Sequence, residues 1–146
     1  MIKSRPSLFI RAPWFKTQLV VNVNQKWTCN ANFDRVAINL YSGGHGCANT
    51  GLLADVIYHE WGHALHWNTA GIEDDALAEG FGDIMSTVMT HSPLQGIGFY
   101  IASCGPISDI SRNRSYPRDK DLESHDEGAI ISSTFWELFE ILKIKW

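Results

Sequence analysis

The sequence contains the segment His59-Glu60-Trp61-Gly62-His63, whose residue types and spacing suit metal-assisted hydrolysis. On a helix, residues four apart lie on one face, so His59 and His63 can bring two imidazole nitrogens to one ion. Glu60 then lies close to the ion without binding it and can accept a proton from a water that the metal activates. Gly62 would leave space beside the metal. The segment predicts a hydrolytic zinc site; the alternative is a helix that happens to carry two histidines.

A hydrolytic zinc site needs a third protein ligand and an open position for water. Glu79 is the best candidate, because it lies on the next predicted helix after a connection long enough for the chain to turn back. Asp83 is four residues further on the same face, where its carboxylate can accept the free ring N–H of a ligating histidine. Other carboxylates compete as ligands, although acidic residues at a helix start already serve as caps: Glu73, Asp74 and Asp75.

Three alternative assignments fail on geometry or sequence context. His66 is seven residues after His59, a helical rise of about 10 Å, so it is expected to have a helix-face or packing role. The metzincin pattern requires glycine at position 66 and histidine at position 69, where this chain has His66 and Thr69. A deformylase would need a cysteine ligand in a specific context that Cys47 does not supply. His45 and His91 belong to no motif.

The elements that must position these residues are predicted as an α+β fold, with a short amino-terminal β-sheet followed by active-site helices. Alternating apolar residues indicate a strand over 35–41, with Val36, Ile38 and Leu40 on one face, after another strand over 19–23. Helices are predicted over 50–67, 74–90 and 128–143, and 92–126 is expected to be loop. Gly80 and Gly82 each cost the second helix about 1 kcal/mol, which indicates that the zinc helix packs closely against it.

Length and composition limit the functional class. The 146 residues fit one domain over 1–146, and 45% hydrophobic with 19% charged residues argues for a packed core. The net charge of −4, without a basic block, disfavours nucleic acid as a partner. The longest apolar run, 99–102, is far too short to span a membrane. Both ends look cut, so we expect a fragment of a longer protein.

The cysteines leave two interpretations open. Cys29 and Cys47 flank a short segment and could form a disulfide, which would suit a secreted protein. Alternatively, all three cysteines, including Cys104, are small buried apolar residues. The sequence does not decide between these interpretations.

The zinc motif and the acidic pair that follows it resemble those of gluzincin metallopeptidases of the thermolysin and fungalysin type: His59-Glu60-x-x-His63 and Glu79-Gly80-x-x-Asp83. The resemblance implies a zincin-like catalytic core, a Zn²⁺ cofactor and secretion. It implies a zinc-dependent endopeptidase that cleaves peptide or protein substrates, with Glu60 as general base. The chain departs from thermolysin in having Ala78 before the glutamate, a shorter connection between the zinc helices and little of the long amino-terminal region.

Two further segments carry the resemblance. Asn30-Ala31 resembles the Asn-Ala of the gluzincin edge strand, whose main chain pairs with substrate. The segment 125–128 resembles a late segment of fungalysin-like enzymes, which makes His125 the candidate for the histidine that hydrogen-bonds the transition-state oxyanion. Asp121 is expected to orient His125, and Tyr116 is a possible second donor. The alternative function is a non-catalytic zinc-containing remnant that acts as a binding or structural module.

Overall fold

The computed structural model describes residues 13–69, 71, 73–120 and 123–143. These residues form a three-stranded sheet, a short two-stranded hairpin and three α-helices, which confirms the α+β class. The sheet comprises β1 (Val20–Gln25), β2 (Ala31–Phe33) and β3 (Ala37–Tyr41) in the order β1-β3-β2. β1 runs parallel to β3, and β2 runs antiparallel to it. Because β3 is the central strand, β2 lies at an edge of this sheet.

The central strand β3 supplies the buried side of the sheet, where Ile38 and Leu40 are almost fully enclosed. The expectation that Val36 shares their face is wrong, because Val36 lies in the turn before β3 and is 76% exposed. The Asp34 carboxylate closes this turn by accepting the backbone N–H groups of Val36 and Ala37 at 3.0 and 2.8 Å. The strand therefore begins at Ala37, two residues later than predicted.

One capping side chain starts the short turn before the first α-helix, and another starts the second α-helix. Asn49 accepts the backbone N–H of Gly51 at 2.9 Å and starts a short 3₁₀ turn, after which α1 runs over Ala54–Thr69. The predicted single helix over 50–67 is therefore two elements. Asp74 caps α2 (Asp75–Thr90) as predicted, by accepting the backbone N–H of Leu77 at 2.8 Å.

The third helix, α3 (Ser124–Lys143), begins four residues before the predicted start at 128. Glu123 causes the earlier start, because its carboxylate accepts the backbone N–H of His125 at 3.1 Å. His125 consequently lies in the first turn of a helix. The predicted loop also contains an antiparallel pair, β4 (Leu94–Gln95) and β5 (Ser108–Asp109). None of the helices in the described ranges has the length and apolar character needed to cross a bilayer.

Glycines allow α2 to pack closely against both neighbouring helices. A Cβ atom on Gly62 of α1 would lie 2.8 Å from the Cα of Gly82 in α2. Gly62 therefore serves this helix contact, and the expectation that it leaves space beside the metal is wrong. Gly80 faces α3, where a Cβ would clash with Ile131 and the carbonyl of Gly128, so its predicted contact with the zinc helix is also wrong.

Replacing Gly128 with alanine tests the α2–α3 contact. A Cβ there would lie 2.6 Å from the Ala76 carbonyl oxygen and 2.8 Å from the Gly80 nitrogen. We expect G128A to lower the free energy of unfolding by about 1–2 kcal/mol, because overpacking outweighs the higher helix propensity of alanine. Denaturant unfolding measures the change, and G105A is the control, since its nearest neighbour is 3.9 Å away. A stabilised G128A would contradict the tight contact.

Candidate metal centre

Three side chains from α1 and α2 converge on one point. His59, His63 and Glu79 each place a ligand atom within 4.8 Å of the other two. Glu79 Oε2 is 3.1 Å from His59 Nε2 and 3.5 Å from His63 Nε2. Adjacent ligand atoms in a tetrahedral zinc site with bonds near 2.0 Å are separated by about 3.3 Å. The residues present therefore fit a zinc ion, with two imidazoles and one carboxylate as donors.

Asp83 holds the ring of His59 from the side opposite Glu79. Its Oδ1 is 3.0 Å from His59 Nδ1, so the other ring nitrogen, Nε2, is directed toward Glu79. Burial lowers the pKa of His59, but the hydrogen bonds to Asp83 and Glu79 more than compensate and raise it well above its usual value. Gly82 also matters here, because a Cβ on that residue would lie 2.7 Å from the His59 ring.

Glu79 carries a negative charge at the centre of the group. Burial raises the pKa of its carboxyl, but the hydrogen bonds from His59 and His63 outweigh burial and hold the pKa well below its usual range. An ionised carboxylate between two imidazoles is the electrostatic environment in which a divalent cation is stabilised. The three alternative carboxylates at the start of α2 line the cleft described below instead of joining the histidines: Glu73, Asp74 and Asp75.

Glu60 is buried beside His59, His63 and Glu79, which are called the metal group below. Only 6% of Glu60 is exposed. Its Oε2 has no hydrogen-bond partner among the described residues. Burial raises the pKa of the carboxyl, while the charges of His59 and His63 and the backbone of Phe33 act in the opposite direction. A buried carboxylate with a raised pKa and a free oxygen is suited to accept and release a proton.

The start of α3 brings His125 to the same group. Its Nε2 is 3.2 Å from Glu79 Oε2, and 66% of its side chain is exposed. Its Nδ1 is 2.8 Å from Glu123 Oε1, so Glu123 orients the ring, while the predicted acceptor Asp121 lies outside the described residues. Burial lowers the pKa of His125, but the hydrogen bond to Glu123 contributes to a net increase. Tyr116 is exposed and is not among the described cleft residues.

Two adjoining pockets meet at the metal group. The polar pocket has a volume of about 550 Å³, and the apolar pocket has a volume of about 320 Å³. Both are lined by the same five predicted site residues: Asn30, Ala31, His59, Glu60 and His125. A groove consequently extends to both sides of the metal group, with the edge strand β2 along one wall.

The two pockets differ in chemistry. The polar pocket extends toward the acidic start of α2 and toward Arg35, whose guanidinium lies 4.1 Å from the centre of the Trp67 ring. The apolar pocket is walled by Phe99, Tyr100 and Ile107. Sequence reasoning missed these residues, since those in the apolar pocket belong to a segment without regular periodicity.

The remaining histidines and cysteines have other environments. His66 is buried and packs against Phe81, with ring centres 5.5 Å apart, which gives it the packing role expected from its spacing. Burial lowers the pKa of His66. Of the two interpretations of the cysteines, the structure has the bridged one, with Cys29 joined to Cys47 and with Cys104 free and exposed.

Comparisons with protein-family models, with curated proteins and with solved structures found no match for this chain. The arrangement of the residues is therefore what indicates a reaction. Two imidazoles and a carboxylate can hold a divalent cation with one position open, beside a buried carboxylate and an oriented imidazole. This set is suited to the attack of water on a carbonyl carbon.

Replacing Asp83 with asparagine tests its orientation of His59. We expect D83N to lower zinc affinity by about 10–100-fold, because the ring loses a charged acceptor at Nδ1. Competition with a chromophoric chelator measures the affinity, and D75N on the same helix is the control, since among the described residues Asp75 forms no hydrogen bond or ion pair with a histidine. Equal affinities for the two variants would show that Asp83 does not support the metal centre.

Proposed function

We propose that this protein is a zinc-dependent endopeptidase with a zincin-like catalytic core of the gluzincin type. The observation that carries the proposal is the buried Glu60 carboxylate, with an unpartnered oxygen, beside the three convergent ligand atoms. A structural zinc site would have four protein ligands and no use for such a carboxylate. The order of the motifs along the chain, which resembles that of thermolysin and fungalysin, supports the same assignment.

The metal would be held by His59 and His63 of α1 and by Glu79 of α2. Bound zinc would supply a Lewis acid that polarises the peptide carbonyl and lowers the pKa of a water. Asp83 keeps His59 Nε2 directed toward Glu79, the side on which the ion would be held, by hydrogen bonding to the opposite ring nitrogen. The two helices therefore have to be packed together before the ligand set is complete.

Glu60 acts as the general base. It accepts a proton from the attacking water while the water oxygen bonds to the carbonyl carbon, and it then gives that proton to the leaving amine as the C–N bond breaks. Because burial raises the pKa of Glu60, the energies of its protonated and ionised states are closer at neutral pH than in water. The smaller energy difference favours both steps, the acceptance of the proton from water and its release to the leaving amine.

His125 stabilises the oxyanion that forms from the carbonyl oxygen. The Glu123 carboxylate accepts a hydrogen bond from Nδ1, and the raised pKa of His125 favours the doubly protonated ring. In that state Nε2–H also donates, and in this structure it lies 3.2 Å from Glu79 Oε2, so the positive charge lies beside the ligand group where the oxyanion would form. Its exposed position at the start of α3 leaves it accessible to a substrate.

The substrate would lie extended along β2, where it adds a strand through main-chain hydrogen bonds. The pockets on both sides of the metal group leave room for residues before and after the scissile bond, which favours an endopeptidase. Asn30 and Ala31 border both pockets and mark where the substrate crosses the metal group. The Cys29–Cys47 disulfide is compatible with the proposed extracellular location.

Replacing Glu60 with glutamine tests the proposed reaction directly. E60Q should retain zinc at the wild-type stoichiometry and lose at least about 100-fold in kcat, because the amide cannot accept the proton. E137Q, at an exposed position of α3, is the control and should cleave an unstructured protein substrate at the wild-type rate. Zinc content and peptide release are measured on the same samples, and an active E60Q would remove Glu60 from the mechanism.

Chelation separates the enzyme from the alternative zinc-containing module. Removal of zinc should abolish hydrolysis while circular dichroism retains the helical signal, because α1 and α2 also pack through Gly62 and Gly82. If chelation only unfolds a protein that shows no hydrolysis, the zinc has a structural role.

Replacing His125 with alanine tests oxyanion stabilisation. H125A should lower kcat by about 100-fold, with little change in zinc affinity, since the effect is confined to the transition state. H91A is the control, because His91 is an exposed histidine at the end of α2, where it packs against Phe139 and lines neither of the two pockets. A large loss of zinc affinity in H125A would instead identify His125 as a fourth ligand.

A further inference from the structure

The Cys29–Cys47 disulfide joins two segments next to the candidate active site. Cys29 immediately precedes Asn30-Ala31 and itself lines the apolar pocket. Cys47 lies in a turn over 43–48 and is only 1% exposed. The bridge therefore connects the beginning of the substrate-binding edge to a buried point in the neighbouring turn.

The turn that contains Cys47 is hydrogen-bonded to the wall of the apolar pocket. The Ala48 N–H donates to the Phe99 carbonyl at 2.8 Å, and the Ile101 N–H donates to the Gly46 carbonyl at 2.9 Å. Between these two bonds, Cys47 pairs with Tyr100 in an isolated antiparallel bridge. Phe99 and Tyr100 both line the apolar pocket, so the disulfide connects one side of this pocket to the other.

The start of β2 has few other attachments. β2 contains only three residues, and Asn30 before it is exposed. Besides the pairing of β2 with β3, the Thr50 hydroxyl donates to the Asn30 carbonyl at 3.2 Å, and the Thr28 hydroxyl lies 3.0 Å from His45 Nδ1. Cys29 has a φ of 57°, a left-handed conformation that is unfavourable for residues other than glycine. The bridge is therefore the covalent attachment of a segment whose backbone conformation is unfavourable.

We propose that the Cys29–Cys47 disulfide is a positioning element for the substrate, which holds the start of β2 at a set distance from the Phe99–Tyr100 wall. This inference rests on the proposed peptidase function. The metal ligands lie on α1 and α2, which the disulfide does not join. Loss of the bridge should therefore affect peptide binding and leave the metal centre in place.

The experiment removes the bridge from the full chain with the double variant C29A/C47A. We expect KM for an extended peptide to rise by about tenfold, with kcat within about threefold of wild type and with unchanged zinc stoichiometry. In zinc-free protein, the amides of β2 should exchange with deuterium faster than in wild type, a readout that is independent of activity. C104A is the control, because it removes a thiol near the same wall and leaves the bridge intact.

A second variant, C29G/C47A, separates the bridge from the backbone conformation. Glycine accepts the φ of 57° without strain, so KM should stay raised if the covalent link is what matters. Recovery of the wild-type KM in this variant would overturn the proposal in favour of the backbone conformation. Loss of folding or of zinc in both variants would also overturn it, because the bridge would then hold the domain as a whole.

The wild-type protein in the same assay distinguishes the two levels of inference. A zinc-loaded wild type that cleaves no peptide would refute the proposed function. An active wild type whose KM matches that of C29A/C47A would refute only the positioning role. Unchanged deuterium exchange at β2 in the double variant would refute the positioning role independently of hydrolysis.

Discussion

The close contact between α1 and α2 is the constraint on which the metal group depends. Gly62 and Gly82 let the two backbones approach until a single added methyl group would clash. At this separation, Glu79 and Asp83 of α2 reach opposite nitrogens of His59 on α1. A wider spacing would leave one of these hydrogen bonds unmade, so the two glycines determine whether the ligand atoms can converge.

The same contact concentrates charge in a small volume. Glu60, Glu79 and Asp83 lie around two histidines, and all five side chains are at least partly shielded from water. Isolated carboxylates at such depth are costly, because burial disfavours the charged form. Hydrogen bonds between these residues raise the pKa of His59 and lower the pKa of Glu79, and in both cases they outweigh the opposite effect of burial. A divalent cation would compensate the same negative charge more completely.

Local spacing predicted the parts of this arrangement that lie on one helix. His59 with His63, and Glu79 with Asp83, are pairs at helical spacing, and the Asp74 cap gave the start of α2 correctly. The contacts between elements were harder to predict. Gly80 indicates that something packs closely, but its spacing does not say whether that element is α1 or α3.

Side-chain caps and contacts with a distant turn explain the other differences. Glu123 orients His125 only because α3 begins at Ser124, and this start depends on a side-chain cap that the apolar pattern from 128 onward does not reveal. Val36 continues the alternating pattern, yet the Asp34 turn excludes it from the strand. The walls of the apolar pocket come from a segment whose position is set by hydrogen bonds to a distant turn.

The shortness of β2 has a consequence for selectivity. Edge strands attract other chains through their unpaired main-chain groups, and a long flat edge would capture extended segments regardless of sequence. An edge of three residues provides only a few such bonds, so main-chain pairing alone gives a brief encounter. In the proposed function, a substrate chain that remains bound would also have to fill the pockets beside the strand. A short edge would thereby limit self-association, and under the proposed function the residence time of a substrate would depend on its side chains.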